Sequence, residues 1–296
     1  QRAHPPVHRL CRHRSAREST VTESEKQEQF MLLLLGLATR RERQIIKDNR
    51  EPFLQTMRNL RRLVERMSPD GEFRSYEWRR LQRQASRMIN DFVASFTERL
   101  MPQLIALEAP VQEFAQDYVD VDIDETRFVP HTAQQVLESV FIDRTKLPLI
   151  AYLVYNGRLA TDLINKLNRS VDVGLLRGDP TPKIADDIVK MTVRAGKVVP
   201  VVNTGSYAKI ASTQVNNTLD GAVWGQINQN LKVAWQRTET TTWVWNAVLD
   251  SKTCPVCSPL HMKIVPKPPT FVSTSFSRTL PPVHPRCRCS ILPVLT

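Results

Sequence analysis

Glycine is scarce in this chain, with 9 among 296 residues. Loops that cradle phosphate need glycines clustered where backbone approaches the ligand, so a glycine-rich nucleotide-binding architecture has little support. Long apolar runs are also missing. The strongest, Phe30 to Ala38, falls well short of the roughly 20 residues that span a bilayer. Acidic residues precede it and no small-residue cleavage pattern follows, so it reads as a buried stretch of a longer helix rather than a secretory signal. No membrane association is expected. The H-E-x-x-H helix, the H-x-E with P-C-x-x-C deaminase pattern and the G-x-S-x-G elbow are all absent. Enzymatic activity is therefore not expected. Cysteine is sparse too, with 5 residues. In the reducing cytosol that the missing export signal implies, clustered cysteines point to metal ahead of disulfide.

Positive charge is plentiful. Lys and Arg number 41 against 30 Asp and Glu, for a net charge of +11 and a pI near 9.7. Such an excess favours an anionic partner, nucleic acid first, although solubility or an acidic protein partner would also use it. The basic residues concentrate in the N-terminal third. The candidate nucleic-acid contacts are Arg40, Arg41, Arg43, Arg58, Arg61, Arg62, Arg79, Arg80 and Arg83.

The pattern of apolar residues predicts an α+β protein: a mostly α-helical body with a small C-terminal, β-containing Cys/His domain. Residues 1–22 lack hydrophobic periodicity and read as a flexible basic arm containing Cys11. Residues 23–108 read as a basic helical hairpin region. One helix is expected from Glu23 to Asn49, a second from Glu51 to Met67 with Pro52 in its first turn, and a third carrying Trp78 through Phe96. Residues 109–237 form a further helical region. It opens on a solvated acidic connection over 109–130, then has helices at 131–143, 147–169, 181–194 and 206–233. Thr181 is the expected cap of the 181–194 helix. The last helix is expected to bury one side, carrying Ile210, Leu219, Val223, Ile227 and Leu231. Residues 238–296 are rich in proline and cysteine. Strands are expected around Thr240–Trp245, Lys263–Val265 and Ser290–Val294.

Four cysteines fall in that last part: Cys254, Cys257, Cys287 and Cys289. Cys254 and Cys257 form a C-x2-C knuckle, and His284-Pro-Arg-Cys287-Arg-Cys289 supplies the second half. Thiolates on both sides of a loop with a nearby imidazole fit tetrahedral zinc, and no iron–sulfur spacing is present. Disulfides or inert buried thiols are the alternatives. Cys254 and Cys257 head the candidate ligands, followed by Cys287, Cys289 and His284, with His261 as a further candidate. The C-x-C pair is expected to offer both sulfurs only if a turn intervenes. A structural Zn2+ would supply folding energy to a segment too small to build its own core. A catalytic zinc would need an acid or base nearby, for which Asp250 and His261 are the only candidates.

Trp245, Asp250-Ser-Lys-Thr-Cys254-Pro-Val-Cys257 and Pro281-Pro-Val-His284-Pro-Arg-Cys287-Arg-Cys289 together resemble the C-terminal domain of the phage Mu F-like minor head proteins. The clear resemblance covers Trp243 to Pro293 and extends more weakly into the preceding helix from Ile210. Two positions depart from the family pattern. Ser212-Thr213-Gln214 stands where Arg-Thr-Glu is common, and His261-Met262-Lys263 stands where a glycine is expected. The resemblance implies a minor capsid (head morphogenesis) protein of a tailed phage. It would be assembled in the host cytoplasm and located inside the virion near the portal, assisting procapsid assembly, DNA packaging or DNA delivery. Its implied partners are the portal protein, the major capsid or scaffolding protein, and double-stranded DNA bound nonspecifically. A zinc-dependent nuclease or a zinc-ribbon DNA-binding protein is the alternative.

Overall fold

A computed structural model describes residues 22–66, 75–119, 157–194, 196–236, 242–248, 255–266, 271–273, 276–278, 281 and 287–294, together with Glu138, Leu149 and Leu153. Residues 1–21 of the expected arm, and all of the helix expected at 131–143 except Glu138, lie outside the described residues. So do Asp250, Cys254 and His284.

The chain is mostly helical, with small antiparallel sheets near its C-terminal end. Helix α1 runs from Glu23 to Glu65, about 65 Å at 1.5 Å per residue. Thr22 caps it in a full capping box with Glu25: each satisfies a backbone donor that the first turn leaves open. The break expected at Pro52 does not occur, and Pro52 lies inside the continuous helix. Proline removes the bond its N–H would have given to the carbonyl of Asp48, but Asp48 is exposed to water. Packing on both sides of Pro52 outweighs the loss. Asn49 donates to the Ile45 carbonyl at 2.9 Å and accepts from Arg99 Nε at 2.8 Å, while Phe53 meets Phe92 edge-on at 5.7 Å. Arg99 and Phe92 belong to α2, Ser75–Ile105, so α1 is splinted by its neighbour across the proline.

Helix α3, Glu108–Val119, occupies the first half of the expected acidic connection. Val111, Ala115 and Tyr118 are buried at a four- and three-residue spacing, and this apolar face decides the structure over the surrounding charge. Helices α4 (Arg158–Leu176) and α5 (Thr181–Ile188) follow. The cap of α5 is Pro180 rather than Thr181, which is the first helical residue and is buried. Only the first half of the helix expected over 181–194 forms. Lys190–Arg194 (β1) and Lys197–Val201 (β2) instead pair as an antiparallel hairpin. Valine- and threonine-rich strands joined at Gly196, whose φ is +72°, suit a tight hairpin better than a helix.

Helix α6, Tyr207–Gln236, is buried all round through its middle rather than on one side, while at its start Lys209 and Ile210 are exposed, Ile210 contrary to expectation. Val223, Trp224, Gln226, Ile227, Asn228, Asn230 and Leu231 are all inaccessible. It packs against α1, α3 and α4 and against the last strand. Strands β3 (Thr242–Asn246), β4 (Ile264–Pro266) and β7 (Ser290–Pro293) make one sheet in the order β4-β3-β7. Strands β5 (Phe271–Ser273) and β6 (Phe276–Arg278) pair separately. One continuous apolar core extends from Phe30 to Leu292. No helix among the described residues is long and apolar enough to cross a membrane.

Candidate metal centre

Strand β3 is the scaffold of the site. Trp243, Val244, Trp245 and Asn246 are buried on both faces of the strand, and β4 and β7 flank it. Beyond β4 the ladder continues irregularly: Trp245 N donates to the Lys263 carbonyl at 3.1 Å, and Met262 N donates to the Trp245 carbonyl at 2.8 Å. Reaching this geometry places Met262 at φ +61°, a region glycine enters freely and other residues enter at a cost. The turn is left-handed at a methionine, which carries a strain that a glycine would not.

This turn follows a short 3-10 segment, Ser258–Leu260, with Cys257 just before it. Leu260 N donates to the Cys257 carbonyl at 3.0 Å, fixing the residue's backbone. On the other side Cys287 and Cys289 lead directly into β7. Residues two apart in extended chain share a face, so both sulfurs reach the site. The expectation that a turn must intervene is corrected.

The three sulfurs of Cys257, Cys287 and Cys289 are buried and lie within 4.8 Å of one another. Cys257 Sγ and Cys287 Sγ are 3.8 Å apart. A disulfide requires about 2.0 Å, and the three cysteines are free thiols. A tetrahedron with zinc–sulfur bonds of about 2.3 Å has edges of about 3.8 Å. The described donor set therefore fits three corners of a tetrahedral, thiolate-rich ion, leaving one for a fourth ligand. His261 is not part of this cluster. Its Nδ1 accepts the Ala247 N–H at 3.2 Å, and burial lowers its pKa, both favouring the neutral ring.

Electrostatics follow from the crowding. Hydrogen bonds with Cys287 and Cys289, reinforced by burial, push the Cys257 thiol far above its ordinary range. At Cys289 the contact with Cys257 works downward, as does the Trp245 side chain, but Cys287 and burial outweigh them and the thiol also rises. Neutral thiols are what a buried cluster holds by itself; a divalent cation reverses the balance and takes thiolates.

Helix α6 holds the second half of the site in register. Asn228 Nδ2 donates to the Cys289 carbonyl and to the Trp224 carbonyl, both at 2.9 Å. About two turns further on, Trp235 Nε1 donates to the Ile291 carbonyl at 2.9 Å. The Trp235 ring packs 5.9 Å from both Phe30 of α1 and Tyr118 of α3, which are themselves 4.9 Å apart. No sequence motif marks Asn228. A polar residue in a long helix is ordinarily assigned to solvent.

The arginines predicted to meet nucleic acid divide into two sets. Arg41 donates to Gln103 at 2.7 Å. Arg58 pairs with Glu51 at 2.7 Å, and Arg61 binds Asp186, Glu65 and the Val189 carbonyl. Arg41 and Arg61 tie helices together, whereas Arg58 is bonded within α1. Arg40, Arg43, Arg62, Arg79, Arg80 and Arg83 are exposed. Arg80 and Arg83 join Arg66 and Arg87, which were outside the candidate set, around a concavity of about 620 Å³ between α1 and α2.

Residues 165–292 match the family described as phage Mu protein F like protein. The match begins within α4 and takes in α5, the β1–β2 hairpin, α6 and the cysteine site. It supports the assignment to the phage Mu F-like family and extends well upstream of the Cys/His block. No curated protein and no solved structure matches the chain.

Proposed function

With residues 165–292 as a Mu F-like module, we propose that this protein is a minor capsid (head morphogenesis) protein of a tailed phage. It sits inside the head near the portal and assists procapsid assembly, DNA packaging or DNA delivery, in contact with the portal protein and with the major capsid or scaffolding protein. Its role is structural. The observation that carries the reading is the buried Cys257–Cys287–Cys289 cluster within the matched region, bolted through Asn228 and Trp235 to the central helix.

In this reading the cluster holds one structural Zn2+, with Cys254 and His284 as the remaining candidate ligands. The ion supplies cross-linking and charge neutralisation. This chain's own residues do the rest: β3 and β7 set the sulfur positions, Asn228 fixes the Cys289 backbone, and Trp245 excludes water. The exposed arginines Arg40, Arg43, Arg62, Arg79, Arg80 and Arg83 contact DNA phosphates without reading sequence. Arg41, Arg58 and Arg61 contribute less, because their side chains are already bonded within the protein.

Quantitative mass spectrometry of purified procapsids and virions tests the reading. The chain is expected in particles at far fewer copies than the major capsid protein, and its absence from them would overturn the proposal. A nuclease would instead show metal-dependent DNA cleavage abolished by His261→Ala with folding intact. Sequence-selective binding that survives high salt would mark a zinc-ribbon regulator.

A further inference from the structure

A second cleft lies along the middle of α1. It has a volume of about 800 Å³ and is walled by the middle of α1, by α2, by the start of α6 and by β2 with Val202 beyond it. Its floor is apolar: Phe53, Phe92 and Phe96 are buried beneath it, while Ile46 and Val202 remain 40% and 37% exposed at its edges. Its rim is cationic. Lys47, Arg50 and Lys209 line it and are exposed, and no carboxylate among the described residues pairs with them. The one acid among the described rim residues, Glu51, is engaged by Arg58.

We propose that this cleft is a docking groove for an acidic amphipathic helix of a partner protein. An apolar floor between unpaired cations is complementary to a helix with an apolar stripe flanked by Asp or Glu. A nucleic-acid strand would satisfy the rim but leave the exposed apolar edges at Ile46 and Val202 uncovered. Addition of an extended strand along β2 is disfavoured, because Pro200 has no N–H to donate and commonly blunts an edge. A helix needs no backbone partner and uses side-chain anchors at i, i+3 or i+4, and i+7. The α1 wall from Ile45 to Arg58 is about 20 Å long, enough for three to four turns of the partner. The inference stands on the cleft alone and does not depend on a role in a phage head.

The test is selection of binders from an mRNA-display library of 18-residue peptides. Each is apolar at helical a, d and e positions, with Glu, Lys and Gln drawn equally elsewhere, and is selected on the full chain. Enriched peptides are expected to favour Glu over Lys beside the apolar stripe. The best of them should lose at least tenfold in affinity to Ile46→Glu, to Val202→Glu and to the pair Lys47→Glu with Lys209→Glu. Unchanged far-UV circular dichroism qualifies each variant, and Ile46→Gln and Val202→Gln replace any that loses helicity. Peptides without acidic bias, or binding the variants equally well, overturn the proposal. So does displacement of the selected peptide by a 20-base-pair DNA duplex, which would mark the rim as a phosphate site.

Discussion

If three buried thiols hold a zinc ion, the stability of the C-terminal sheet must follow free zinc by mass action. A ligand that binds only the folded state adds RT ln(1 + [L]/Kd), about 2.7 kcal/mol at 100 Kd and about 4.1 kcal/mol at 1,000 Kd. Urea unfolding in metal-buffered solutions should therefore gain about 1.4 kcal/mol per decade of free zinc above Kd. Trp243 and Trp245 are buried in the sheet and Trp235 is bonded to Ile291, so tryptophan emission reports this transition. Protons sharpen the test. Cys257 and Cys289 both have raised thiol pKa values, so a metal entering at neutral pH displaces their protons and its affinity falls as pH falls. Without metal the sign is opposite. A thiol whose folded pKa is raised contributes stability that is complete below the unfolded value, near 9, and is lost as pH rises above it. The metal-loaded protein should weaken in acid and the metal-free protein in alkali. Cys257→Ser should flatten the zinc dependence. Midpoints constant over four decades of free zinc, in both proteins, would refute the argument.

Other perturbations test the surrounding structure. A Cβ on Gly174 would lie 2.8 Å from Ile184 Cγ1, so Gly174→Ala should destabilise by about 1–3 kcal/mol, with partial relief from Ile184→Ala in a urea double-mutant cycle. Met262→Gly relieves the left-handed strain and should raise stability by about 0.5–1 kcal/mol after the entropy cost of glycine; a loss of stability would count against the turn geometry. Asn228→Ala leaves the buried Cys289 carbonyl unpaired and should cost about 2–4 kcal/mol, read from the urea midpoint. Gln214 accepts from Lys166 Nζ at 2.8 Å, so Gln214→Glu, placing a negative charge beside that ammonium, should stabilise by up to about 1 kcal/mol, less at high salt.

The clustering of Cys257, Cys287 and Cys289 was legible because thiols at short spacing suit a metal ion, and because strands rich in Trp and Val announce themselves by composition. Its support was not legible. Gln226 and Asn230 look like a solvent face and Asn228 like a polar residue on the other side, and only packing all round the helix buries them. Pro52 carries an honest start signal, overridden by packing from Phe92 and Arg99 that lie some forty residues on. The helical spacing of Val111, Ala115 and Tyr118 was hidden under charge, and the β1–β2 hairpin under a helical start at Thr181. Arginine clusters mark a basic region but not which guanidinium groups are already bonded. Arg61 is committed to Asp186, 125 residues away, whereas Arg66 and Arg87 stand open to a concavity.

The Phe30–Tyr118–Trp235 contact also sets an order of events during synthesis. Phe30 leaves the ribosome about 200 residues before Trp235, and Trp235 must still wait for Ile291 to accept its N–H. At about 5–20 residues per second, the apolar start of α1 stays uncovered for roughly 13–50 s. Through that interval the nascent chain presents Phe30, Met31 and Leu34 without their final cover, a window in which a holding chaperone or an early assembly partner would act on the chain before its last strand is made.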